Sequence, residues 1–378
     1  MNTELWSRIK AVNIVSDDWG MCAWCPTAQV YEEIHPFEYM RTPWSSGTLE
    51  TPRDMEVLFS LLEEFRGGDD LPCMIQPFCV ISSPDYAAIK ANGFTEYVDF
   101  SLEVGVSQGW DRGDLAAKAR EGWQRGVWQP GYHGRAHHFS PRRWVERLRE
   151  GDEWAVYAFE RNTYVSETVS NRLPEYSGMS EPEQVAWLEE GLARFEQAFG
   201  FPARAARNSD FTPRTREVLA DHEVRAVLSN RFVDDPEDSL MVLPRPIDFE
   251  PFLTADHENV VAHTLALIEE SWDSGQPAVV STHRRNYKGF DQGDVARNFE
   301  YLHELLGALS LFYPEVVYLC GDEVSQLDRT GYSVVQRGDR TICRNYGEEV
   351  VSVNLLLNGD ICDMTLPVGE TVINTREI

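Results

Sequence analysis

Short runs of apolar and β-branched residues alternate with amphipathic helical patterns through most of the chain. Helical patterns such as those at 51–65, 140–152 and 212–222 begin with Ser or Thr followed by Pro, which is typical of a helix N-terminus. Strands that alternate with helices form parallel βαβ units, so we expect an α/β fold, either a doubly wound sheet or a (β/α) barrel. The predicted strands are residues 12–15, 72–80, 127–129, 226–228, 278–281 and 316–319.

The pattern changes near the C-terminus. Residues 329–378 consist of short β-type segments joined by turns that contain Gly, and no helical period appears there. We therefore expect two domains, a (β/α) domain of residues 1–328 and a small antiparallel β appendage of residues 329–378.

The charge of the chain excludes some classes of partner. The formal net charge is −28 and the isoelectric point is about 4.6, so the surface repels phosphate backbones and anionic lipid. No apolar run approaches the ~18 residues of a membrane span, and the N-terminus does not resemble a signal peptide. Seven scattered cysteines do not suggest a disulfide framework. We expect a cytoplasmic protein that binds no nucleic acid and does not insert into a membrane.

Two adjacent carboxylates follow the first predicted strand. Residues 16–20 read SDDWG, which places Asp17 and Asp18 at the end of a buried run. Neighbouring carboxylates repel each other and lose hydration on burial, so the pair requires a compensating partner or exposure to solvent. The pair could cap a helix or lie in a solvated loop, or one carboxylate could bind a metal while the other accepts a proton.

A pair of histidines follows the third predicted strand. His133 and His137 are four residues apart, so both imidazoles can reach one ion if the segment is helical or tightly turned. Two imidazoles and one carboxylate, from Asp17 or Asp18, form a common open metal site. A divalent cation would also compensate the adjacent negative charges. We therefore predict a metal site at this end of the sheet.

The segments SDDWG and HGRAH resemble the first two motifs of the polysaccharide deacetylase superfamily, the NodB-homology or carbohydrate esterase family 4 group. The usual forms are Thr-Phe-Asp-Asp-Gly and His-Ser/Thr-x-x-His. Here Trp19 separates the second Asp from Gly20, and Gly134 replaces the Ser or Thr, as in a divergent branch. The resemblance covers residues 10–325 and implies a distorted, seven-stranded (β/α) barrel.

The resemblance also implies roles for individual residues. Asp17 would be the general base, and Asp18 would bind the metal together with His133 and His137. His283 follows the strand predicted at 278–281 and would be the general acid, although it could instead be a core histidine. Zinc is the expected ion, with Co²⁺, Ni²⁺, Mn²⁺ and Fe²⁺ as alternatives because these ligand types do not fix the metal.

The residues expected to bind substrate are less well matched to a motif. The family has an Arg-containing strand end that orients the base, for which Arg207 or Asp210 is the best candidate here. Aromatic side chains near the motifs could stack on a sugar ring or belong to the core, and polar side chains after strand 278–281 suit hydroxyl-rich or anionic groups. The complete set of candidates is Trp19, Tyr132, Arg135, Arg207, Asp210, Arg284 and Asn286.

The sequence thus predicts a metal-dependent hydrolase that removes an acetyl group, which we expect to be N-linked, from a carbohydrate or glycoconjugate precursor. Two alternatives remain open at this point. The same site could cut a non-sugar C–N bond, or the chain could be an inactive carbohydrate-binding protein on the same fold. The expected partner is an acetylated sugar, and the sequence does not give the oligomeric state.

Overall fold

The computed structural model of the chain describes residues 1–137, 139–169, 175–207, 211–229, 240–254, 257, 259–357 and 360–375. The strands are β1 (Ala11–Trp19), β2 (Ile75–Cys79), β3 (Ser82–Pro84), β4 (Asp99–Ser101), β5 (Gly131–Tyr132), β6 (Ala205–Arg207), β7 (Ala226–Ser229), β8 (Met241–Pro244), β9 (Ile247–Asp248), β10 (Ala278–His283), β11 (Val317–Tyr318), β12 (Tyr332–Arg337), β13 (Arg340–Asn345), β14 (Val351–Leu357), β15 (Asp360–Leu366) and β16 (Glu370–Thr375). The helices are α1 (Thr3–Trp6), α2 (Ala28–Ile34), α3 (Pro52–Glu63), α4 (Tyr86–Ala91), α5 (Leu115–Arg125), α6 (Pro141–Arg149), α7 (Glu153–Phe159), α8 (Glu181–Phe199), α9 (Pro213–Asp221), α10 (Val260–Asp273), α11 (Gln292–Phe312) and α12 (Gly321–Thr330).

A parallel sheet forms the centre of the fold and confirms the predicted α/β class. Its strand order is β8-β7-β6-β5-β2-β1-β10-β9, with β11 also paired to β1. Every ladder in this sheet is parallel. Among the described residues the sheet has nine strands, whereas the resemblance implies seven. Two of the additional strands have only two residues each: β9 lies at the edge of the sheet, and β11 pairs with the central strand β1. Parallel pairing brings the carboxyl ends of the strands to one edge.

The central strand β1 is buried along nearly its whole length. Val12 and Ile14 pack in the largest core cluster, whereas Ala11 and Val15 pack in a second cluster with residues of other strands of the sheet. This alternation follows from the two-residue period of a strand, and the burial of both faces explains the continuous apolar run. Among the described residues, no helix is long and apolar enough to cross a membrane.

One predicted strand is misplaced. At residues 127–129 only Trp128 forms an isolated bridge, with Ile75 of β2, and the strand itself begins two residues further on at Gly131. Pro130 separates the two parts, and its ring nitrogen carries no hydrogen for a ladder bond. The other predicted strands overlap β1, β2, β7, β10 and β11.

The C-terminal segments are antiparallel, as predicted. Strands β12, β13 and β16 form one sheet and β14 pairs with β15. A buried ion network joins this part to the rest of the chain: Glu323 of α12 binds both Arg337 and Arg344, and Arg344 also binds Asp69, with a distance of 2.7 Å to its Oδ2. The division of the chain into domains at 328/329 stays a prediction.

Candidate active site

The predicted catalytic residues meet at the carboxyl ends of the parallel strands. Asp17 and Asp18 lie near the end of β1, and His283 is the last residue of β10, in register with Asp17. His133 directly follows β5, and Arg207 is the last residue of β6. These five residues line one cavity of about 550 Å³ together with His137. Sites of α/β proteins are commonly built at this edge.

The backbone of β1 is irregular where the two carboxylates lie. Asp18 has a left-handed φ of +75°, and the register with β2 shifts between Ser16 and Trp19. In a regular strand, successive side chains point to opposite faces. The irregularity turns the chain so that Asp17 and Asp18 both line the cavity. A left-handed conformation is uncommon for a residue with a side chain, and such positions concentrate at functional sites.

Asp18, His133 and His137 form a compact group of candidate metal ligands. Their donor atoms all lie within 4.8 Å of one another. Nε2 of His137 is 3.0 Å from Oδ1 of Asp18, and Nε2 of His133 is 3.5 Å from the same oxygen. Ligands about 2.1 Å from a tetrahedral zinc ion are about 3.4 Å apart, so this spacing fits a divalent cation of that size.

The protonation states of the group also suit a metal. Burial by itself would raise the pKa of Asp18, but the adjacent imidazoles of His137 and His133 hold that pKa well below its usual range. Burial lowers the pKa of His137. Nδ1 of His133 lies 2.6 Å from the carbonyl oxygen of Arg207, which accepts its hydrogen bond and orients the ring so that Nε2 faces Asp18. Metals bind carboxylates and neutral imidazoles, so these states match the requirement.

The Asp17 carboxylate is held by two arginines. Its Oδ2 accepts hydrogen bonds from Nη1 of Arg245 at 2.8 Å and from Nε of Arg207 at 3.3 Å. Burial opposes the charge, yet the two guanidinium groups keep the pKa of Asp17 well below its usual value. Asp17 is therefore ionised and fixed in orientation. The predicted pairing of Arg207 with the base is present in the structure, whereas Arg245 was missed by the sequence analysis.

His283 is paired with a second residue that the sequence analysis missed. Its Nδ1 lies 2.5 Å from Oε1 of Glu250, and its Nε2 lies 3.7 Å from Oδ2 of Asp17. Burial lowers the pKa of His283, but the charge of Glu250 and its hydrogen bond, together with the charges of Asp17 and Asp18, outweigh this and raise the pKa to about 9. His283 is thus an imidazolium at neutral pH, with Nδ1–H donated to Glu250. Asn286, predicted to bind substrate, instead donates to Oε2 of Glu250 at 2.7 Å.

One stretch of chain between β1 and α3 supplies aromatic side chains to the cavity. The ring of Trp44 lies edge-on to the His283 imidazole, with centroids 4.7 Å apart. A second stretch, between α7 and α8, supplies a carboxylate. The lining residues from these two stretches are Trp24, Tyr39, Thr42, Trp44, Val165, Ser166 and Glu167.

The structure corrects the prediction that Trp19 and Tyr132 bind substrate. Trp19 is 2% exposed, donates its indole N–H to Ser16 and packs edge-on against Trp128. Tyr132 is fully buried, and its hydroxyl lies against Gly191 of α8. Neither side chain reaches the cavity, because both point into the core beneath it.

Two charged candidates are also used internally. Arg135 forms a bidentate pair with Asp99, at 3.1 and 3.2 Å, and Arg284 pairs with the buried Glu50 at 3.0 Å. Each of these guanidinium groups is committed to a carboxylate of the protein, so neither lines the cavity. Asp210 lies outside the described residues.

Comparison with known proteins finds structural neighbours only. No protein-family model and no curated protein sequence matches the chain. Solved structures similar to it include a putative polysaccharide deacetylase from Mycobacterium smegmatis, with 13% identity, a TM-score of 0.42 and coverage of 84% of this chain and 88% of the other. A probable polysaccharide deacetylase from Pseudomonas aeruginosa PAO1 has 9% identity, a TM-score of 0.46 and coverage of 85% and 91%. The Puue allantoinase has 10% identity, a TM-score of 0.41 and coverage of 82% and 92%. At such identities the chemistry of the site has to be inferred from its own residues.

Proposed function

We propose that this chain is a metal-dependent deacetylase of the polysaccharide deacetylase superfamily, which hydrolyses an N-acetyl group of a carbohydrate or glycoconjugate precursor. One observation supports the proposal above all others. An ionised carboxylate, Asp17, and a protonated imidazole, His283, line the same cavity as the Asp18, His133 and His137 group. Base, acid and candidate metal ligands are the components that hydrolysis of an amide requires.

The roles of the side chains follow from their positions. A divalent cation bound by Asp18, His133 and His137 would polarise the acetyl carbonyl and make water more acidic. Asp17 accepts a proton from the attacking water, whose oxygen forms the new bond to the acetyl carbon. His283 donates the proton on Nε2 to the nitrogen as the C–N bond breaks. The products are acetate and a free amine.

Three neighbouring side chains fix the orientation of the proposed acid and base. Arg207 and Arg245 hold the Asp17 carboxylate in one orientation, and Glu250 holds the imidazole of His283 so that Nε2–H faces the cavity. Both arrangements reduce the reorganisation needed during the reaction.

A sugar is the substrate that the lining favours. Trp24, Tyr39 and Trp44 line the cavity with aromatic side chains, which suit the apolar face of a sugar ring, and Thr42 and Ser166 supply hydroxyl groups, which suit its polar rim. Zinc is the ion we expect, and the cytoplasmic location stays a prediction from the cysteine content. In that compartment the substrate would be a soluble, lipid-linked or nucleotide-linked sugar.

The first test is elemental analysis of the wild type and of the His133→Ala/His137→Ala double variant. We expect about one divalent metal ion per chain in the wild type and none in the variant. Acetate release from N-acetylated sugars and from simple non-sugar amides is then measured with the wild type and Asp17→Asn. Asp17→Asn should keep the metal and lose the activity, because Asn cannot accept the proton.

The outcomes separate the proposal from its alternatives. Absence of metal in the wild type after incubation with zinc would refute the hydrolase mechanism. Turnover of simple amides without turnover of acetylated sugars would favour the non-sugar amidohydrolase. Sugar binding without any acetate release, unchanged in Asp17→Asn, would identify an inactive binding protein.

A further inference from the structure

The loop between the two candidate metal-binding histidines has an unusual backbone. Residues 134–136 contain neither helix nor strand. Gly134 and His137 both have left-handed φ values, +84° and +58°. Such a loop is not held by the regular hydrogen bonds of a helix, so the separation of the two imidazoles depends on the groups that bind its backbone.

Two backbone amides of this loop donate hydrogen bonds to one buried carboxylate. The amides of Arg135 and Ala136 both donate to Oε1 of Glu175, each at 2.8 Å. On the other side of the loop, the carbonyl of Arg135 accepts from the hydroxyl of Ser82 at 2.7 Å, and the carbonyl of Gly134 accepts from the amide of Ile81 at 3.3 Å. Glu175 is fully buried. It is therefore the acceptor for two successive amides between the histidines.

Glu175 is itself fixed by helix α8. The indole N–H of Trp187, in α8, donates to the same Oε1 at 2.6 Å. The guanidinium carbon of Arg135 lies 3.7 Å from the centroid of the Trp187 ring, and Arg135 also binds Glu190 of α8 at 2.6 Å. Through the indole of Trp187, helix α8 holds the carboxylate that binds the loop backbone, although the candidate metal ligands lie outside this helix.

We propose that Glu175 is a positioning residue for the metal centre, acting through the backbone of the loop that carries His133 and His137. This inference rests on the proposed function, since it assumes that the two histidines bind a metal. Without the carboxylate, two buried amides would lack their acceptor and the loop would shift to find others. Metal affinity depends on ligand placement within about 0.5 Å, and loss of such outer partners weakens binding about 10- to 100-fold.

The test compares a Glu175 variant that changes only the charge of the side chain with one that changes only its length. Glu175→Gln keeps an oxygen at the same distance from the backbone, whereas Glu175→Asp keeps the charge but is shorter by one methylene group. The dissociation constant for Zn²⁺ is measured by competition with a chromophoric chelator. We expect Glu175→Gln to bind zinc within about threefold of wild type, and Glu175→Asp and Glu175→Ala to bind it about 10- to 100-fold more weakly.

Glu190→Ala is the matched control. Glu190 is half exposed and contacts the Arg135 side chain but not the loop backbone, so its removal should leave the zinc affinity unchanged. If Glu175→Ala does not fold, the comparison of Glu175→Gln with Glu175→Asp still decides. If Glu175 had only a structural role, its variants would have a lower melting temperature but an unchanged zinc affinity.

The failure of this inference can be distinguished from the failure of the proposed function. If the wild type binds no zinc, the proposed metal centre is wrong. If the wild type binds zinc and Glu175→Asp binds it equally tightly, the metal centre stands and the positioning role of Glu175 is overturned.

Discussion

At the scale of single residues, the Asp17 carboxylate is held by two arginines that come from different strands. Arg207 ends β6, and Arg245 directly follows β8, so the carboxylate links two parts of the sheet edge. Two charge-assisted hydrogen bonds to one oxygen leave it little freedom to rotate. The orientation of the proposed base is thus set by residues outside the group of candidate metal ligands.

Arg245→Met should slow the reaction without removing the metal. Met preserves much of the side-chain volume but cannot donate to Asp17, so the carboxylate is held by Arg207 alone. We expect kcat to fall roughly 10- to 100-fold with little change in KM and in metal content. Arg225→Met is the control. Arg225 directly precedes β7, at the amino ends of the parallel strands and away from the cavity, and it pairs with Asp322 at 3.0 Å. An unchanged kcat in Arg245→Met would contradict the positioning role.

The pH dependence of activity should depend on Glu250. As the proposed acid, His283 would be active only in its protonated form, and the pKa of about 9 predicts that kcat/KM falls as the pH rises through 9. The carboxylates of Glu250, Asp17 and Asp18 all favour the protonated form, with Glu250 the largest contributor. Glu250→Gln removes this charge, so the alkaline limb should move to lower pH. A limb at the same pH in both proteins would refute this assignment.

At the scale of secondary-structure elements, the sequence located best the residues at the ends of long strands, and it located His133 by its spacing from His137 although β5 has only two residues. Asp17, Asp18 and His283 could be located because β1 and β10 are apolar runs with distinct ends. Arg245 and Glu250 could not, because β8 and β9 have only four and two residues and carry no readable period. A strand this short is defined by its pairing with neighbours, which a single sequence does not reveal.

The errors at the two arginine candidates, Arg135 and Arg284, have one physical cause. A charged residue after a buried strand can face either a ligand or a carboxylate of the protein. Arg135 and Arg284 pair with Asp99 and Glu50, which lie 36 and 234 residues away in the chain. Such partners become visible only in the folded structure.

The pair of Glu50 and Arg284 leads to a stability prediction. Glu50 also accepts a hydrogen bond from the amide of Gly20, so it joins the end of β1 to the residue after β10. Glu50→Ala would leave the buried Arg284 charge without its carboxylate partner and should lower the free energy of unfolding by about 3–5 kcal/mol. Urea denaturation measures the change. Glu63→Ala, which breaks an exposed pair with Arg125, should cost less than about 1 kcal/mol.

At the scale of the whole molecule, the buried ions around Glu323 join the antiparallel C-terminal strands to the rest of the chain. Glu323, Arg337 and Arg344 are each at most 1% exposed. Charges at this depth need their partners, since an unpaired buried charge is strongly destabilising. The network therefore argues that the two predicted domains depend on each other for stability.

A chain that ends at Thr330 should be much less stable than the full chain. It would retain Glu323 in α12 but lose both of its arginines, and Leu71 would lose its packing against Val335 and Ile342. We expect a lower melting temperature or insoluble protein. Glu348→Ala, which removes an exposed pair with Arg8, should melt like the wild type. An equal melting temperature for the shortened chain would show that residues 1–330 fold on their own.

The aromatic lining of the cavity has a consequence for how such a protein can change over time. Trp24, Tyr39 and Trp44 come from the single connection between β1 and α3, whereas the proposed acid and base are residues of β10 and β1 themselves. Connections accept insertions and exchanges more readily than the strands that they join. Under the proposed function, the residues for substrate preference and those for the reaction are therefore encoded by separate stretches of the gene, and a different connection grafted between β1 and α3 should change the substrate while the reaction stays the same.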